Sequence, residues 1–217
     1  MMKTETIPFP GYQGQAELYL QRQEPRSRKL VVILPGHHYY ANRSPLELIG
    51  MMALSYGYEV LELRYSYQVS PYPTEAMSLD DLEREVDGIL PYLDGYEEVC
   101  LVGKSLGTSL ARLLVAKVGA PERSLILLTP LPDSVAGEPP VDRLCLIGDA
   151  DPVFPRVAAS REAHPAEWRI YPGVNHGLQV ERDWRATAQV WQGIVAEAEA
   201  FFTRKAPRGC SPHWPNA

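Results

Sequence analysis

Three short segments carry side chains that can act on a carbonyl. The first is Gly103-Lys104-Ser105-Leu106-Gly107, a G-x-S-x-G pattern set between an apolar strand-like run and a helical stripe. A serine hydroxyl becomes a nucleophile only when a base removes its proton. The pattern supplies the geometry for that step. A sharp turn with the serine in a strained conformation projects the hydroxyl, and glycines two residues to each side allow close backbone approach. The plainer alternative is a glycine-rich strand–helix turn with a capping serine.

The second segment is Gly148-Asp149-Ala150-Asp151-Pro152-Val153, after the apolar run that ends at Ile147. A carboxylate there lies on the same rim as Ser105, because both follow the C-terminal ends of strands. Asp151, beyond the tight turn, is the stronger candidate to reach inward, and Asp149 to stabilise the turn. Both could instead be turn residues only. The third is Asn175-His176-Gly177-Leu178, in a short loop after the last strand-like run. A single loop histidine is usually a solvated side chain. Its place after the serine and the aspartate makes His176 the candidate base. His164 and His213 have no such context and read as surface residues.

These side chains need a scaffold that brings positions 105, 151 and 176 together. Leu30 to Leu34 is a continuous apolar run, as expected of a strand buried on both faces, and it ends at Pro35-Gly36. Further strands are expected at 59–63, 98–102, 125–129, 144–147 and 168–171, with two opening strands at 5–9 and 15–21 around Gly11–Gly14. Helical spacing connects Leu79, Leu82, Val86, Ile89, Leu90 and Leu93. It also connects Leu106, Leu110, Leu113, Leu114 and Val118, and runs from Trp184 to Phe202. Ser44-Pro45-Leu46-Glu47 and Ser78 to Asp81 read as helix starts capped by serine, the first helix reaching about Tyr56 with Gly57 as its stop. The alternation of strands and helices predicts an α/β chain with a mostly parallel central sheet of about 6–8 strands and helices on both faces. Residues 1–205 read as one domain, and 206–217 as a Pro-rich tail, loosely held. The connection from 129 to 144 is short and rich in Pro, Gly and Asp, so no lid domain is expected.

The chain of 217 residues is 45% hydrophobic and 22% charged, with a net charge of −6, an ordinary globular composition. No dense Lys/Arg cluster points to nucleic acid, and no apolar run is long enough to span a membrane. Cys100, Cys145 and Cys210 are widely spaced and read as thiols in a reducing compartment, not as metal ligands. A cytoplasmic location is expected. No cofactor is expected, and oligomeric state is left open.

The order Ser, Asp, His, each on a matching element, resembles the α/β-hydrolase superfamily, and its small lidless members of the dienelactone-hydrolase and carboxylesterase type. The likeness covers roughly Lys29 to Lys205. It implies an α/β-hydrolase fold and a serine hydrolase acting through an acyl-enzyme on a small or exposed ester or thioester. It also implies an oxyanion hole from the N–H groups of Leu106 and His37. Pro35-Gly36-His37 occupies the place of the family's His-Gly-x, and Gly36 or His38 could donate instead. Aromatic and polar tips at His38, Tyr39, Tyr40, Tyr65 and Tyr67 are candidates for the substrate pocket, or for ordinary loop packing. Adjacent side chains diverge, so His37 and His38 are not expected to hold a metal. Lys104 replaces the aromatic or His residue common beside the nucleophile, and its side chain is expected to turn toward neighbouring loops. A non-catalytic binding protein on this fold, and an acyl transferase or perhydrolase with the same triad, are the alternatives.

Overall fold

The computed structural model describes residues 2–69, 78–137, 141–161 and 166–205. The tail from 206, with Cys210 and His213, lies outside the described residues, as does His164.

The strand-forming runs assemble into one eight-stranded sheet. The strands are β1 (Met2–Gly11), β2 (Gly14–Gln23), β3 (Lys29–Leu34), β4 (Glu59–Arg64), β5 (Glu98–Lys104), β6 (Glu122–Leu128), β7 (Asp142–Gly148) and β8 (Glu167–Tyr171). Their order is β1-β2-β4-β3-β5-β6-β7-β8. β1 and β2 form an antiparallel hairpin, β2 pairs antiparallel with β4, and all later neighbours are parallel. The hairpin is longer than its apolar pattern predicts. β1 is a mostly exposed edge strand, so main-chain pairing with β2 extends it past its buried residues.

The central strands are apolar on both faces because helices cover both. Leu30, Val32, Leu34, Val99, Leu101, Leu125, Leu127, Cys145 and Ile147 point into one core layer. The alternate residues Val31, Ile33, Cys100, Val102, Ile126, Leu128, Leu144 and Leu146 point into the other. The first layer is closed by α3 (Leu79–Asp87), α4 (Leu106–Val115), α5 (Pro132–Val135) and α6 (Phe154–Arg161). The second is closed by α1 (Leu46–Ser55) and the long α7 (Trp184–Lys205). A further turn of helix, α2 (Ser66–Val69), follows β4. Between β6 and β7 the described residues hold only the one-turn α5. Among the described residues no helix is long and apolar enough to cross a membrane.

The two expected serine caps have different outcomes. Ser78 forms the full box with Asp81: its Oγ accepts from Asp81 N at 3.2 Å, and Asp81 accepts from Ser78 N at 3.2 Å. Ser44 does not cap α1, whose cap position is Pro45. The preceding turn already supplies an acceptor, since Arg43 O takes the Glu47 N–H at 3.2 Å, and the Ser44 carbonyl is taken by the Tyr39 hydroxyl. The stripe that includes Leu90 and Leu93 breaks at Gly88. Pro91 then sits in a 3₁₀ turn, Leu90–Tyr92.

This topology positions the site. The C-terminal ends of β3, β4, β5, β7 and β8 share one rim. From it come the loops that carry Pro35 to Arg43, Tyr65 to Tyr67, Ser105, Asp151 and His176.

Candidate active site

Ser105 follows the last residue of β5 and precedes α4, with φ 52 and ψ −117. A non-glycine residue there costs about 1–3 kcal/mol and persists only where its surroundings hold it. They do: Ser105 N–H donates to Leu128 O at 3.0 Å, and Ser105 O accepts from Thr108 N at 2.8 Å and Thr108 Oγ1 at 2.6 Å. The flanking glycines are required by space. A Cβ on Gly107 would stand 1.9 Å from Leu34 O, and one on Gly103 would stand 2.4 Å from Gly107 O. Gly107→Ala must therefore push β3 and its loop away from the turn. The expected result is a loss of about 3 kcal/mol or more, read as a fall in Tm of roughly 10 °C in thermal unfolding.

Ser105 Oγ lies 2.8 Å from His176 Nε2, and His176 Nδ1 lies 2.7 Å from Asp151 Oδ2. An ionised carboxylate only accepts, so Nδ1 carries the proton and Nε2 is the acceptor for the serine hydroxyl. Asp151 is fully buried while the His176 side chain is 35% exposed, so the chain of hydrogen bonds runs from the interior to an accessible edge. The second carboxylate oxygen of Asp151 accepts from Val153 N at 2.8 Å, which fixes the plane of the group. Asp149 takes the other role considered for it. Its Oδ1 accepts from Gly173 N at 2.6 Å and ties the β7 turn to the loop after β8.

The His176 loop is built locally. Asn175 Oδ1 accepts from Gly177 N at 2.9 Å and Gln179 N at 3.2 Å, an Asx-type turn that presents the histidine between them. Trp191 of α7 donates its indole N–H to Leu178 O at 2.7 Å and anchors the far side.

Leu106 opens α4, so its N–H has no helical carbonyl behind it. The loop that carries His37 is held through its carbonyls. Tyr65 Oη donates to Pro35 O at 3.0 Å, and Gly36 O accepts from Gln68 Nε2 at 3.2 Å and Tyr39 N at 3.2 Å. Sequence reading missed Gln68, because nothing local marks a side chain that reaches a carbonyl 32 residues back, on the loop after the neighbouring strand.

The aromatic candidates divide. His38 and Tyr40 are exposed, and Tyr39 and Tyr67 are half-buried. Tyr65 is fully buried and is not a pocket wall. Its ring packs in the core, and its hydroxyl is spent on the Pro35 carbonyl. It still contributes indirectly, since Tyr65, Tyr67 and His37 stack in sequence with centroids 5.4 and 5.0 Å apart. Burial pushes the Tyr39 phenol up to about 12, and partial burial lowers the His37 imidazole, as does its neighbour His38. Among the described residues no group of three or more His, Cys, Asp or Glu forms a metal-ligand cluster. Cys100 and Cys145 are buried within strands β5 and β7.

No protein-family model matches the sequence, and no curated protein matches it. Solved structures do match in three dimensions. A serine hydrolase without a lid from Xanthomonas campestris superposes with a TM-score of 0.74 at 14% identity, over 94% of this chain and 96% of its own. Est1E from Butyrivibrio proteoclasticus gives 0.70 at 12% identity, over 92% and 98%. An esterase from Pyrobaculum calidifontis gives 0.63 at 14% identity, over 92% and 85%. The strand order, the sharp turn after β5 and these superpositions make the chain a protein of the α/β-hydrolase fold.

Proposed function

We propose that the protein is a serine hydrolase that cleaves a small or exposed carboxylic ester or thioester through an acyl-enzyme on Ser105. The observation that carries this reading is the continuous hydrogen-bonded chain from Ser105 Oγ through both nitrogens of His176 to buried Asp151, at 2.8 and 2.7 Å. His176 Nε2 accepts the hydroxyl proton as Ser105 Oγ attacks the substrate carbonyl. Asp151 holds the imidazole in the productive tautomer and stabilises the imidazolium. The N–H groups of Leu106 and His37 stabilise the tetrahedral oxyanion, each typically worth about 3 kcal/mol in the transition state. His176 then protonates the leaving alcohol or thiol. Water, deprotonated by the same nitrogen, attacks the acyl carbonyl and frees Ser105.

The short connection between β6 and β7 supports a small or exposed substrate, as does the fold's likeness to a hydrolase without a lid. Other structures of this fold include an esterase and Est1E with ferulic acid bound, so ester chemistry is at home on the scaffold. In this reading His38, Tyr39, Tyr40 and Tyr67 meet the substrate's variable part. The test is turnover of p-nitrophenyl acetate and butyrate by the wild type and by Ser105→Ala. The expected result is saturable hydrolysis that falls to background in the variant. A folded wild type without turnover would contradict the proposal.

A further inference from the structure

Lys104 stands immediately before Ser105, yet it is only 3% exposed. A buried ammonium normally finds a carboxylate. Among the described residues this one makes no ion pair within 4 Å. Its Nζ instead donates to the main-chain carbonyl of His176 at 2.8 Å and sits 4.8 Å from the centre of the Tyr39 ring. Its stem runs past Gly36, where an added Cβ would meet Lys104 Cδ at 3.3 Å. One side chain thus touches the loop after β3 and the loop after β8, and its own backbone ends β5, directly before the turn at Ser105. These loops hold the proposed oxyanion donor, the proposed base and the proposed nucleophile. An apolar side chain of the same length would fill this space without the desolvation cost, so the charge answers a need other than packing.

We propose that Lys104 is a positioning residue: its ammonium holds the His176 carbonyl and the Tyr39 ring, and so fixes base and oxyanion loop relative to the adjacent nucleophile. The proposal rests on the reading of Ser105 as a hydrolytic nucleophile. By gripping the backbone of His176, Lys104 leaves both ring nitrogens to Ser105 and Asp151. The titratable groups set round the ammonium are Asp151 and His176 on the β7 and β8 loops and Tyr39 on the β3 loop. Burial lowers Lys104 to about 8, with the Asp151 charge opposing the shift. The ammonium is therefore charged below pH 8 and loses its proton above it, which weakens both of its contacts.

The test measures wild type, Lys104→Met and Lys104→Arg with p-nitrophenyl butyrate, alongside thermal unfolding. Lys104→Met keeps the stem and removes the donor. A displacement of about 1 Å in a catalytic group costs on the order of 100-fold. The expected result for Lys104→Met is a kcat lower by about that factor, with KM within about twofold and Tm at pH 7 no lower than wild type. The wild-type kcat falls above pH 8, and Lys104→Arg, whose guanidinium stays charged, lacks that limb. Unchanged kcat in Lys104→Met overturns the proposal. So does an alkaline limb shared by all three proteins, or a loss of kcat that only tracks a loss of Tm. A wild type that neither turns over ester nor labels at Ser105 overturns the hydrolase reading itself, and the proposal with it.

Discussion

His176→Ala is expected to lower kcat for p-nitrophenyl acetate by up to about 10⁶-fold, and the Ser105→Ala/His176→Ala double variant is expected to be no slower. The reason is the shared hydrogen bond at 2.8 Å. The serine has no other base within reach among the described hydrogen bonds, and the histidine has no other hydroxyl to activate. Each residue is inert without its partner, so the second deletion removes nothing further. His176 is part-exposed and its loop is held by Asn175 and Trp191, so the variant keeps its fold. Steady-state kinetics on the two single variants and the double variant check this. A double variant much slower than either single one would show that the two residues act separately.

Asp151→Asn is expected to lower kcat by about 10⁴-fold with little change in Tm, while Asp149→Asn stays near wild type. The asymmetry follows from what each oxygen of Asp151 touches. Oδ1 accepts from Val153 N, so the asparagine carbonyl oxygen takes that place. The amide NH₂ is then turned toward His176 Nδ1, which must become an acceptor. The imidazole proton moves to Nε2, and Nε2 can no longer accept from Ser105. The substitution is isosteric, so the effect is one of tautomer and not of packing. Asp149 holds Gly173 at the rim's edge, where an asparagine oxygen can accept the same N–H. Equal losses in the two variants would argue against this assignment of the carboxylates.

The parts of this molecule written in local sequence were legible from it. Leu30 to Leu34 reads as a strand buried on both faces because every residue is apolar, and the structure divides those residues between two helix layers. That Ser105, Asp151 and His176 meet was legible because each follows a strand-like run, and strand ends in a parallel sheet share a rim. Boundaries set by hydrogen bonding were less so. The β1–β2 hairpin extends beyond its apolar residues because the ladder, not burial, sustains it. Ser44 reads as a cap, but the Tyr39 hydroxyl on the Ser44 carbonyl and the Arg43 carbonyl on the Glu47 N–H decide how α1 begins. Tyr65 looked like a rim residue from its place after β4, and only packing shows it facing inward. Lys104 could be seen to stand beside the nucleophile. Its contact with the His176 carbonyl joins residues 72 positions apart, beyond any local pattern.

Whether Ser105 is an activated nucleophile is read out by covalent labelling. The protein is incubated with a fluorophosphonate at pH 7, and its intact mass and the modified peptide are determined for the wild type, Ser105→Ala and His176→Ala. One adduct is expected on Ser105 in the wild type, none in Ser105→Ala, and labelling slowed by several orders of magnitude in His176→Ala. Folded wild-type protein that takes up no label, or takes it up on another residue, would contradict it.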